Sequence, residues 1–377
     1  MTSQHAWPEI SRPGDVGLDE VLLGASDTAI REAAPEVHSL LVLRHGRLVW
    51  ERYYPGVARD VIWGRVEDSG QPILTEPYPV GEDAWTVHNV KSVTKSLMSA
   101  VAGAAAAQGL LDLDGTLRTY LPEYVDKASD PAKGDISVRN LLMMRSGLDW
   151  QENEQITLDW LKSEDPVLFS MQEQGVVAAP GERWEYSTAD THLLGACMSR
   201  AAGRPLLELC NDLLFRPLGF TVDRWGRDTT GHEVGGSEAY LRPREMAAVG
   251  QLMLQRGRWH DVQVVPEEWV DLSTAPQPDV TPDFLREHAR FELPPEFRTY
   301  RDGYGYLWWR TDFGAHRGFS AVGFGGQTIT VVPDLDLVVV ETLSTEIGLD
   351  EEMPPLERMT TPFRIIDDFV VPAALAG

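Results

Sequence analysis

Strand-forming sequence lies at both ends of this chain and helix-forming sequence lies between them, so any large sheet has to be assembled from segments far apart in sequence. Near the N-terminus His38–Leu43 (HSLLVL) and Arg47–Tyr54 (RLVWERYY) are rich in branched and aromatic residues, and His45-Gly46 between them suits a tight hairpin turn. Near the C-terminus GYLWWRT, QTITVVP and LDLVVVETL have the same character, the last two joined at Pro333-Asp334. In the middle, Ser92–Gln108 (SVTKSLMSAVAGAAAAQ) predicts one long, mostly buried helix closed by Gly109. Further helices are expected over Val138–Met144, Thr191–Ala202, Pro205–Leu214 and Pro243–Arg256, and the end of another over Ser26–Ala34. Pro55–Trp85 reads as an irregular excursion, and Pro276–Phe297 as a proline-rich connection. The expected fold class is α+β: an antiparallel sheet from both chain ends (1–90 and 300–377) with flanking helices, and an inserted, mainly helical domain (91–299). A site is expected in the cleft between the two.

The chain has 377 residues, 43% of them hydrophobic and 24% charged, which excludes a disordered or fibrous protein. Acidic residues outnumber basic ones 58 to 33, a formal charge of -25 that would repel nucleic acid and anionic membrane surfaces. Cys197 and Cys210 sit among apolar residues and read as buried free thiols. With no apolar run long enough to span a bilayer and no leader-like N-terminus, the expected address is cytoplasmic. No H-E-x-x-H, Cys-x-x-Cys or paired-histidine spacing occurs, so neither a metal nor another cofactor is expected. No Gly-x-Ser-x-Gly elbow occurs either.

Three segments could carry chemistry. Ser92 and Lys95 are one helical turn apart at a helix start, where a lysine can take the proton of a serine nucleophile and the helix terminus favours developing negative charge. Only five of the 33 basic residues are lysines, and Lys95 lies among small and apolar neighbours. The alternative is an exposed lysine at the edge of the first turn. Lys91 reads as an exposed flanking charge. In PGERWEYSTADTHLLG, Asp190 is placed to cap a helix beginning near Thr191, which leaves Tyr186, Ser187 and Thr188 on the preceding loop. Tyr186 could exchange protons with the serine if Lys95 is close, or it could simply pack. In Gly323-Phe324-Gly325-Gly326-Gln327, glycines at a strand edge could leave backbone N–H groups free for an oxyanion, or could mark a bulge. Glu152-Asn153-Glu154 reads as a solvated acidic stretch.

Taken together, SVTK at 92–95, YST at 186–188 and FGGQ at 324–327 resemble, in order and spacing, the serine β-lactamase and penicillin-binding-protein superfamily, in its class C and esterase-related branch. HNVKSVTKSL, LLMMRSGLDW, PGERWEYSTADTHLLG and GFGGQTITVVPDLDLVVV are similar to hydrolases of 6-aminohexanoate oligomers and related carboxylesterases. That resemblance spans about residues 38 to 345. It implies a β-lactamase-like fold, with Ser92 the acylated nucleophile, Lys95 its activator and Tyr186 a base. Backbone N–H groups of Ser92 and Gln327 would form the oxyanion hole, with Phe324, Gly325, Gly326 and Thr188 lining the substrate site. Thr188 stands where asparagine is common, and Phe324 where a cation is common. The implied activity is cleavage of a small ester or amide through an acyl-enzyme, without cofactor. A β-lactamase or D-amino peptidase proper and a non-catalytic ligand-binding relative are the alternatives. Pocket walls are expected from 149–179 and 275–299, with Trp150, Trp184, Trp308 and Trp309 near the cleft.

Overall fold

The computed structural model describes residues 7–66, 72–81, 83–152, 154–288, 300–345 and 356–377. Its central sheet has eight strands: β1 (Glu9–Ile10), β2 (Val37–Arg44), β3 (Arg47–Tyr53), β4 (Gly303–Tyr304), β5 (Trp309–Phe313), β6 (His316–Gly323), β7 (Gln327–Val332) and β8 (Leu337–Leu343). They lie in the order β1-β3-β2-β8-β7-β6-β5-β4, so strands from the two chain ends meet at β2 and β8. Val339 faces Val42 there, and Val340 faces Leu41. All pairings are antiparallel except β1 with β3, which is parallel.

Every residue of β7 and β8 is buried, and so is all of β2 but Arg44, the pattern of strands covered on both faces. The turn between β2 and β3 uses His45 and Gly46 at φ 52° and 73°, the mirror-image turn geometry that matches strand twist.

The five longest α-helices among the described residues are α1 (Glu20–Ala33), α2 (Val93–Ala107), α3 (Thr188–Ala202), α4 (Pro243–Leu254) and α5 (Leu356–Ile365). The α2 segment is buried on all sides from Val93 to Ala105, which its small residues permit. A Cβ on Gly103 would stand 2.4 Å from the Trp269 ring, so only glycine allows that contact. Gly109 follows α2 at φ 70° and closes it as expected. α4 lies across β2, β7 and β8, and Gly250 lets it approach Val338 and Ile329. Among the described residues, no helix is long and apolar enough to cross a membrane. Cys197 and Cys210 are buried free thiols.

Several local expectations are corrected. Pro55–Trp85 is not wholly irregular: Gly56–Ala58 pairs with Tyr78–Val80, and Val61–Val66 with Pro72–Leu74. GYLWWRT is not one strand, because β4 ends at Tyr304 and β5 begins at Trp309. β6 was not expected, since His316, Arg317 and two glycines break its strand signature; burial against both neighbours overrides that weak propensity. α3 starts at Thr188, with Ser187 as its N-cap accepting from Asp190 N–H, so Asp190 lies in the first turn instead of capping it. The part of the proline-rich connection at 289–299 lies outside the described residues.

Candidate active site

The approach to α2 is pinned before the helix begins. His88 and Asn89 pair with Leu241 and Tyr240, and Val90 N–H bonds Ala239 O. Lys91 then takes φ 50°, a left-handed conformation costly for a residue with a side chain. Far from being an exposed flanking charge, Lys91 is 8% exposed. Its Nζ reaches Glu238 Oε1 at 3.1 Å and Asp60 Oδ1 at 3.9 Å. Asn89 Nδ2 donates to both acids, and Asn89 Oδ1 accepts from Lys91 N–H. A cation enters this interior because two carboxylates and an amide surround it.

Ser92 occupies the N-cap position of α2, where a serine usually turns its oxygen onto the helix's own N–H groups. It makes no such bond. Its Oγ instead accepts from Lys95 Nζ at 3.0 Å. Lys95 is 1% exposed and also donates to Gly236 O at 2.7 Å and Thr188 Oγ1 at 3.0 Å. Gly236 can present its carbonyl there because a Cβ would collide with Thr191 and Thr188.

Tyr186 stands just before α3, and its ring centre lies 4.9 Å from Lys95 Nζ. Trp309 stacks with that ring at 5.5 Å, and the Arg301 guanidinium lies 4.7 Å over Trp309, so both rings of the pair have a cation near them. Burial lowers Arg301 to about 10, opposed by Tyr186 and Tyr304, so it stays cationic at neutral pH. Among the described residues no hydrogen bond joins the Tyr186 hydroxyl to Ser92 or Lys95. Arg317 is exposed near the opposite end of β6 and is not the nearby cation.

Glu152 is the residue that sequence reasoning missed. Its Oε1 accepts from Thr188 Oγ1 at 2.6 Å, and its Oε2 accepts from Thr188 N–H at 3.0 Å and Trp150 Nε1 at 2.7 Å. The half-buried carboxylate is thus held in the site and is no solvated loop acid. The only sequence signal was its position two residues after Trp150, in a stretch already expected to line the pocket. Asn153 lies outside the described residues. In the first turn of α3, Asp190 accepts from Ser146 Oγ at 2.8 Å, and burial pushes its carboxyl up to about 7.

The FGGQ segment lies at the β6–β7 turn. Gln327 faces Gly323 across it, and its buried side chain bonds the Leu343 backbone. Cβ atoms on Gly325 and Gly326 would meet Ser344, Leu343 and Pro362, on the side of β8 and α5. Phe324 is half-buried on that turn. The structure therefore brings Ser92, Lys95, Tyr186 and Thr188 together, whereas Gly325, Gly326 and the Gln327 side chain face elsewhere. Gly323 is the member of the segment against the chain leading to Ser92, with no room for a Cβ beside Val90 O. Of the four tryptophans, Trp309 and Trp184 belong to the aromatic cluster around Tyr186 and Tyr304, Trp150 holds Glu152, and Trp308 is core against Phe319.

A sheet joined from both chain ends and a buried lysine on a serine at a helix start describe the β-lactamase fold and its S-x-x-K site. The Beta-lactamase family model matches residues 30–354, and the chain belongs to that family. It is 28% identical over 224 residues to esterase EstB of Burkholderia gladioli, a match covering 55% of this chain and 53% of the esterase. The chain thus spans about half the length of that relative. It is 27% identical over 294 residues to the 6-aminohexanoate-dimer hydrolase of Paenarthrobacter ureafaciens, covering 73% of this chain and 70% of that one. Among solved structures, simvastatin synthase of Aspergillus terreus superimposes with a TM-score of 0.65 at 18% identity, covering 93% of this chain and 97% of that chain.

Proposed function

We propose that this chain is a serine hydrolase that cleaves an ester or small amide bond through an acyl-enzyme on Ser92. The observation that carries the reading is the 3.0 Å contact between Lys95 Nζ and a Ser92 Oγ released from helix capping. Lys95, as the neutral amine, accepts the Ser92 proton as Oγ bonds to the substrate carbonyl carbon. The tetrahedral oxyanion is held by backbone N–H groups, and the departing alkoxide or amine takes a proton delivered from Lys95 by way of Tyr186. Water then attacks the acyl-enzyme with the same groups acting in reverse. Kinship with an esterase and an amide hydrolase supports the substrate class.

Ser92 N–H supplies one oxyanion donor in this reading. For the second, strand register favours Val322 over Gln327. The two-residue turn closed by Phe313 and His316 sets an alternation in which His316, Gly318, Ser320 and Val322 turn their N–H groups toward β5. The last β5 rung is Trp309 opposite Ser320, so Val322 N–H lies beyond it, next to Gly323, which touches Val90.

Residues 1–90 with 300–377 form the sheet domain in the same reading, and 91–299 the helical insertion. A cytoplasmic address is supported by the two free thiols. The test is hydrolysis of p-nitrophenyl butyrate by the wild type and by Ser92→Ala. Loss of activity by several powers of ten supports the reading, and an alanine variant of equal activity rejects it.

A further inference from the structure

Thr188 connects Lys95 to an acid that has no place in a serine–lysine–tyrosine scheme, and counting protons shows what that acid does. The ionised carboxylate of Glu152 can only accept. The single proton of the Thr188 hydroxyl is committed to it at 2.6 Å, so toward Lys95 the same hydroxyl can only accept, at 3.0 Å. Gly236 O, at 2.7 Å, is likewise acceptor only. As an ammonium, Lys95 fills three acceptors: Thr188, Gly236 and Ser92. As a neutral amine it has two N–H groups for two obligate acceptors, and its lone pair is left facing Ser92 Oγ. The second carboxylate oxygen is anchored by Thr188 N–H and the Trp150 indole, so the carboxylate is fixed on the threonine.

Resting on the serine-hydrolase reading above, we infer that Glu152 is a positioning residue which, through Thr188, aims the Lys95 lone pair at Ser92. Without the carboxylate, the Thr188 proton is free to turn toward Lys95 and occupy that lone pair, which leaves an N–H pointing at the nucleophile. Proton transfer then awaits rearrangement. The effect falls on the chemical step and not on substrate binding.

The experiment is steady-state kinetics on p-nitrophenyl butyrate, with melting temperatures, for Glu152→Gln, Thr188→Val, Thr188→Ser, the Glu152→Gln/Thr188→Val double variant and Ser92→Ala. Glutamine keeps the size of the side chain and an oxygen for Thr188 N–H and Trp150, but its amide can donate to the threonine hydroxyl. Glu152→Gln and Thr188→Val should each lower kcat by at least about 10-fold with KM little changed, part of the 10²- to 10⁴-fold that a positioned base contributes. The double variant should lose no more than the worse single, because both break one chain of bonds. Thr188→Ser should recover most of what valine loses. Wild-type kcat in Glu152→Gln, additive losses, or no recovery with serine would overturn the inference. If Glu152→Gln fails to fold, the contrast between serine and valine at 188 decides it. Ser92→Ala separates the two failures: full activity there rejects the hydrolase reading itself, whereas loss there with an unaffected Glu152→Gln rejects only the role of Glu152.

Discussion

Lys91 and Glu238, both at positive φ (50° and 69°), are tied by a 3.1 Å ion pair immediately before the nucleophile candidate. Each holds a backbone conformation that side chains disfavour, and each gives the other its charge partner. Glu238→Gln leaves the buried ammonium with Asp60 at 3.9 Å. The expected cost is about 3 kcal/mol, the low end for breaking a buried pair because one acid remains. Urea unfolding measures it, and a loss below about 1 kcal/mol, the size of an exposed pair, would show that the pair does not hold this turn.

Lys95 and Tyr186 act as one proton-handling unit in the proposed mechanism. Lys95→Ala and Tyr186→Phe should each lower kcat at least about 100-fold, and the double variant should lose little more than the worse single. Strictly additive losses would mean that the two do not cooperate.

Asp190 makes stability depend on pH. Burial raises its carboxyl from 3.8 to about 7, outweighing the bonds from Ser146 and Ser187. An acid whose folded value is raised contributes stability that is complete below pH 3.8 and is lost as pH rises through about 7. The loss is at most about 4 kcal/mol at pH 8. Asp190→Asn should flatten the stability profile between pH 4 and 8, and should gain most over the wild type at the alkaline end. Parallel profiles for the two proteins would contradict the assignment.

Substrate charge is the next test. Phe324 places an uncharged ring on the β6–β7 turn, Lys95 is committed to Ser92, Thr188 and Gly236, and the Arg301 guanidinium lies over Trp309. Neutral acyl groups should therefore be preferred: p-nitrophenyl butyrate should exceed nitrocefin by at least ~100-fold in kcat/KM. A nitrocefin value equal to or above the ester's would reverse this. Its loss in Arg301→Met would then identify the arginine as the carboxylate contact.

Local signals in the sequence carried far. The three-residue spacing of Ser92 and Lys95, the His45-Gly46 turn and the alanine-rich helix each depend on neighbours in the chain, and the structure shows each of these elements. What escaped depends on distant partners. Lys91 looks like a surface charge until Glu238 and Asp60 fold around it, and Glu152 looks solvated until Thr188 and Trp150 donate to it. The β6 strand is hidden by Gly318 and Gly323, which serve close backbone approach: a Cβ on the first would meet Thr311 O, and on the second Val90 O. The helix start was misplaced because Ser187 and Asp190 are both good caps, and the structure gives the role to Ser187, whose Oγ accepts from Asp190 N–H.

The central claim is that Ser92 is the acylated nucleophile. Its most direct test is to treat the folded protein with a fluorophosphonate and map the modified residue by peptide mass spectrometry. The account predicts one adduct per chain, on Ser92, absent from the Ser92→Ala protein and slow to form in Lys95→Ala. An adduct on any other serine, or undiminished labelling of the Ser92→Ala protein, would contradict it.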